Sequence, residues 1–121
     1  MIRIKDWRGR KKYVRKFRAT LTRNGLYFNT ALTNALYDEN FNYAEILVSV
    51  VKDSYIIILI LHRTKDEDRR GDLFRIKYEP LKGRKYCSRT YSRELIDLIC
   101  VSDKLTSEKV IYDGRIVWIK L

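Results

Sequence analysis

A chain of 121 residues is one domain of ordinary size, and at 45% hydrophobic and 34% charged it can bury a core and keep a solvated surface. One Pro and five Gly exclude a loop-dominated or low-complexity chain, and the aromatic and β-branched residues spread along its length argue against disorder. The net charge of +11 is unevenly placed: MIRIKDWRGRKKYVRKFRATLTR, residues 1–23, holds ten Lys or Arg against the single acid Asp6, a net of +9.

In chain order, Ile2 and Ile4 alternate with Arg3 and Lys5 as a short strand, and Arg8-Gly9-Arg10-Lys11 is a turn. Over 13–22, Tyr13, Phe17, Ala19 and Leu21 share one face, with Arg15 intruding, against Val14, Lys16, Arg18, Thr20 and Thr22. Period-two alternation of this kind predicts a half-buried strand with a basic outer face. Asn24-Gly25 is a strong hairpin signal, with Leu26-Tyr27-Phe28 as the return strand. Asn29 or Thr30 caps a helix that repeats Ala31, Leu32, Ala35 and Leu36 and ends near 38–40.

Residues 44–51 and 55–62 are the next two strands. Lys52, Asp53 and Ser54 interrupt this apolar stretch and argue against a membrane span, because charge in lipid is costly. The run Ile56 to Leu61 is apolar on both faces, which predicts a central strand covered on both sides. A charged loop over 64–72 precedes a strand over 73–78, where Leu73, Arg75 and Lys77 oppose Phe74, Ile76 and Tyr78. A Pro/Gly loop over 79–85 leads to a strand over 86–90. Ser92 caps a second helix, with Glu94 in its first turn and Leu95, Ile96, Leu98 and Ile99 as its buried stripe. Residues 108–112 and 115–120 form a hairpin around Asp113-Gly114.

The order β-β-β-α-β-β-β-β-α-β-β predicts an α+β fold of strongly twisted antiparallel sheet with two short helices, in one domain with a basic N-terminal hairpin over about 1–23. Residues 17–62 and 73–120 each read as strand, helix, hairpin, a degenerate repeat that predicts a pseudo-two-fold core.

Cations neutralise phosphates and release counterions, and aromatic faces stack on exposed bases for about 1–3 kcal/mol per base. Trp7, Arg8, Arg10, Lys11, Lys12, Tyr13, Lys16, Arg18 and Arg23 interleave the two types, and Lys82, Arg84, Lys85, Tyr86, Arg89 and Arg93 repeat the recipe with no acid between Lys82 and Arg93. Two such stripes on strands and loops suit a groove for a single strand, and neither helix is basic enough to read a DNA major groove. Each run also reads as a solvated basic face; the concentration of charge favours nucleic acid for the first, and the second divides evenly. The remaining tyrosines read as packing residues.

No catalytic or metal pattern stands out. His62, the only histidine, closes an apolar strand and reads as a satisfied strand-end residue. Cys87 and Cys100 lie outside any CxxC pair and read as free thiols in a reducing compartment; with His62 they do not make metal spacing. Asp66, Glu67 and Asp68 are flanked by Lys65, Arg69 and Arg70 and read as a self-neutralised loop. There is no Gly-rich phosphate loop. Met1 opens no leader pattern, so the expectation is a cytoplasmic protein, in the host cell if viral, with no cofactor and no membrane partner.

The stretch KFRATLTRNGLYFNTALTNAL resembles the strand–turn–strand–helix start of the transcriptional positive-coactivator and whirly single-stranded-DNA-binding family and its phage relatives, and IKDWRGRKKYVRKF resembles that family's basic first strands. Residues 44–101 read as four strands then a helix, similar to its repeating unit. The chain departs from that pattern in a hairpin after the last helix and in a first helix that interrupts the strand order. The resemblance implies a homodimer with a β-surface for single strands, near Lys16, Arg18 and Arg23. The same stretch resembles the swapped-hairpin regulators of AbrB type, which bind duplex DNA as dimers.

The favoured expectation is a non-enzymatic protein that binds single-stranded DNA or RNA. The first alternative is a small viral or mobile-element factor that docks on an acidic host protein by edge-strand addition. The second is a toxin-type ribonuclease that works with Arg, Lys and Tyr and without histidine.

Overall fold

The computed structural model describes residues 17–66, 71–81, 84–99 and 104–121, giving only the backbone course at 80–81 and 84–86. The expected strand over 2–5 and the first part of the strand over 13–22 lie outside the described residues. The elements are β1 (Ala19–Thr22), β2 (Gly25–Phe28), α1 (Thr30–Asp38), β3 (Tyr43–Val51), β4 (Ser54–His62), β5 (Phe74–Leu81), β6 (Arg84–Thr90), α2 (Arg93–Ile99), β7 (Leu105–Thr106), β8 (Lys109–Asp113) and β9 (Ile116–Lys120). The fold is α+β, as the sequence predicts.

The strands form one nine-stranded antiparallel sheet in the order β7-β1-β2-β6-β5-β3-β4-β9-β8. Its two edge strands are consecutive in the chain. Ser107 N donates to Ala19 O at 2.8 Å and Glu108 N to Lys120 O at 2.7 Å, so two residues carry the chain from one edge of the sheet to the other. The sheet therefore curls until its edges meet. The sheet divides into two four-stranded faces that meet through short ladders: β3 pairs with β5 over two residue pairs, and β1 pairs over two with β7, the short strand that leads into β8. We call β1-β2-β6-β5 the first face and β3-β4-β9-β8 the second.

Alternation sends one side chain in two to the concave side. There Leu21, Leu26, Phe28, Ile57, Leu59, Leu61, Val117 and Ile119 join one cluster with Leu32 and Leu36 of α1 and Leu95, Ile96 and Ile99 of α2. Both helices thus pack inside the curl. Thr33 Oγ1 lies 3.2 Å from Phe28 O and 2.9 Å from Ser88 Oγ, tying α1 to β2 and β6 through fully buried hydroxyls. Tyr78 reaches inward to donate to Phe41 O, and burial pushes its phenol well above the ordinary tyrosine range.

The internal repeat is explicit in the registers. Tyr27 pairs with Arg89 and Ile57 with Ile119, each pair 62 residues apart, and each lies in a ladder that joins corresponding strands of the two halves, β2 with β6 and β4 with β9. The hairpin turns match too: Lys52 and Gly114 both adopt positive φ, 55° and 62°. The helix caps repeat at a spacing of 63. Asn29 Oδ1 accepts from Leu32 N at 3.1 Å, and Ser92 Oγ accepts from Leu95 N at 3.2 Å. These caps satisfy backbone donors that the first turn leaves unpaired.

Three expectations need correction, and β7 is an addition to them; the first is Leu98, which was expected in the buried stripe of α2 but is exposed, leaving Leu95, Ile96 and Ile99 as that stripe. β4 is central, but Ile56, Ile58 and Ile60 are only half-buried on the outer side, because both helices occupy the concave side and no described element covers the convex one. β5 runs through Pro80 to Leu81 and β6 starts at Arg84, so the loop expected over 79–85 is largely a hairpin; a register shift between Glu79 and Pro80 absorbs the residue that cannot donate. β7 was not expected: two exposed residues carry no pattern.

Gly25 sits at φ 139°, and a Cβ there would stand 2.9 Å from Thr90 O. Gly114 also has positive φ but opens onto space. Gly25→Ala is expected to cost about 2 kcal/mol or more, through strain and through loss of the β2–β6 approach, and Gly114→Ala about 1 kcal/mol. Paired urea melts of the two variants check this ranking; equal losses would refute it.

Candidate nucleic-acid interface

The outward residues of the first face are polar and aromatic. Leu26 and Phe28 point into the core, so Tyr27 points out, and register places Arg89 and then Lys77 beside it across β6 and β5. Arg75 follows two residues along β5 on the same side, and its register partner on β3 is Tyr43. Lys65, from the loop after β4, lies 5.8 Å from the Tyr43 ring centroid. Tyr43, Lys65, Leu73 and Arg75 line a pocket of about 360 Å³. The track from Tyr27 to Tyr43 crosses three strand spacings, about 14 Å. It carries cations and two ring faces along one line.

Arg89 is held at its centre. Its Nη1 donates to Asn24 O at 3.0 Å, its Nε lies 3.4 Å from Glu79 Oε1, and its guanidinium stands 5.8 Å from the Tyr27 ring centroid. Glu79 thus offsets part of its charge. Arg75 and Lys77 are exposed on the same face. Cys87, two residues before Arg89, is a free thiol whose pKa is pushed up, first by burial and then by the Glu79 carboxylate, with Arg89 pulling the other way.

The sequence-predicted residues divide as follows. Trp7, Arg8, Arg10, Lys11, Lys12, Tyr13, Lys16 and Lys82 lie outside the described residues. Arg84, Lys85 and Tyr86 sit on β6, where only the backbone is described. Arg18 and Arg23 flank β1, both exposed, and the bond from Arg89 to Asn24 O draws the β1–β2 turn toward the track. Arg93 opens α2 and pairs with Asp97 at 3.5 Å; it is not on a strand face. The structure therefore joins Arg89 to Tyr27, Lys77, Arg75, Tyr43 and Lys65, none of which stood out as binding residues in the sequence. The shared parity of Arg75 and Lys77 was a legible signal; the strand order that places both tyrosines beside them was not.

His62 closes β4 and pairs with Glu45 through Nε2, while its buried Nδ1 makes no hydrogen bond to the described residues, so the strand-end histidine expected to be satisfied is so at one ring nitrogen only. Its Nε2 lies 2.7 Å from Glu45 Oε1, both side chains being buried, and Glu45 Oε2 accepts from Gly71 N at 2.9 Å. The pair anchors the loop that carries Lys65 to the body of the sheet. Among the described residues, no group of His, Cys, Asp or Glu is arranged to hold a metal ion, and no helix is long and apolar enough to cross a membrane. No protein-family model, curated protein or solved structure matches this chain.

In a Cys100→Ser background, alkylation of Cys87 by iodoacetamide should be slow at neutral pH, where a raised pKa keeps the thiol protonated. Glu79→Gln removes one raising influence, so the pH–rate curve should move to lower pH; a curve that stays put would remove Glu79 from this account.

Proposed function

We propose that this protein binds single-stranded nucleic acid without acting on it chemically, through the segment 1–23 and the adjoining outer side of β1-β2-β6-β5. The observation that carries this reading is the net +9 of residues 1–23. A field so concentrated attracts a polyanion before any close contact forms. The last part of that segment, β1, belongs to the same face as Tyr27, Arg89, Lys77 and Arg75. A bent, flexible single strand can follow this line of cations and set its bases on Tyr27 and Tyr43. A stiff duplex gains less, since the curled face offers no helix for its groove.

Fluorescence anisotropy with labelled single-stranded DNA, duplex DNA and RNA of equal length tests this. With about six phosphates neutralised, log K should fall against log salt with a slope of roughly −4 for single strands. Charge reversal at Arg10, Lys11 and Lys12 should weaken every sequence alike. Alanine at Arg75 and Lys77 together should make the slope shallower by about 1.4. Tyr27→Leu should lower affinity and leave the slope unchanged. Binding that survives the triple reversal, or no binding at low salt, would overturn the reading.

A further inference from the structure

The second face differs in kind from the first. Its outward residues on the central row are Leu47, Ile58, Trp118 and Ile111, in register across β3, β4, β9 and β8. Three of them are large and open: Leu47 is 50% exposed, Trp118 43% and Ile111 46%. Unlike scattered surface apolar residues, these form a continuous stripe, and such stripes mark interaction surfaces.

The charges beside the stripe say what fits on it. On β8, Lys109 stands two residues to one side of Ile111 and Asp113 two residues to the other, and both are exposed. A two-fold axis laid along the stripe turns one copy of this face onto another with its strands reversed. The four apolar residues then meet their own images. Lys109 of each copy comes over Asp113 of the other, twice per pair. An axis along the strands through the middle of the face would instead set Lys109 over Ser49 and the acid Asp113 over the acid Glu45, with no opposite-charge pair between them. Of the two orientations that bury the stripe, the one with the axis along it is the one that pairs Lys109 with Asp113.

We propose that the outer face of β3-β4-β9-β8 is where a second copy of this chain docks, two sheets packed face to face about an axis along the Leu47–Ile111 row. Four strands and five residues cover only about 300 Å² in projection, so the association belongs among weak, micromolar interfaces. It leaves the first face of each copy turned outward, and it stands independently of nucleic-acid binding.

The test uses the full chain without nucleic acid. Sedimentation equilibrium over a broad concentration range should show a monomer–dimer equilibrium. In a Trp7→Phe variant, emission from Trp118 should shift to the blue as dimer forms. Lys109→Asp and Asp113→Lys should each raise the dimer dissociation constant tenfold or more, the double exchange should restore it, and Trp118→Ser should abolish the dimer, with far-UV circular dichroism confirming the fold of each. Monomer at every concentration overturns the proposal: blue emission would then mean that residues 1–16 of the same chain cover the stripe, and red emission that another partner does or none. A dimer indifferent to both charge reversals and to Trp118→Ser overturns it equally, placing the contact on another face.

Discussion

β2 and β6 meet over only three residue pairs, and on the first face this ladder is where one half of the chain meets the other. It closes because Gly25 presents no Cβ to the carbonyl of Thr90. The Thr33–Ser88 hydroxyl pair, buried directly beneath, then links α1 to the far side of the same junction. From it follows the position of Arg89 beside Tyr27, and hence the centre of the candidate interface. A larger residue at position 25 would have to push β6 away, taking the guanidinium out of line with the ring.

The two faces obey one geometric rule and differ only in what their outward positions hold. Concave positions are mostly apolar and join both helices in one cluster, the exceptions being the buried hydroxyls of Ser88 and Thr90 on β6. Convex positions are free to specialise. The first face places Arg and Lys between tyrosines, and the second places Leu, Ile and Trp in a row. The internal repeat makes this contrast sharper. Exchange of the halves maps each face onto itself, so both halves share in building each face and neither surface belongs to one repeat alone.

Local chemistry was well legible in the sequence. Asn24-Gly25 turned where expected, Asn29 and Ser92 capped where expected, and the parity of β1 and β5 was right. What escaped depends on distant neighbours. Ile56, Ile58 and Ile60 read as covered because a doubly apolar strand usually is, and nothing local states that both helices lie on the other side. Pro80 read as a loop residue, since only the partner strand reveals the register shift that accommodates it. Tyr27 and Tyr43 read as packing residues because their exposure follows from strand order. The eight Lys and Arg of residues 1–16 remain a feature of the sequence alone.

The seam of the sheet bears on how the chain is made. β1 emerges early from the ribosome and can pair with β2 at once, yet its other partner, β7, comes about 85 residues later, where Thr20 pairs with Thr106. β4 likewise waits for β9, about 60 residues on. During synthesis one edge of β4 and one edge of β1 therefore stay unpaired, and pairings this remote in sequence are slow to form. Nascent chains expose such strands to one another. A chaperone that shelters extended apolar segments would raise the yield of this protein more than one that assists helix formation.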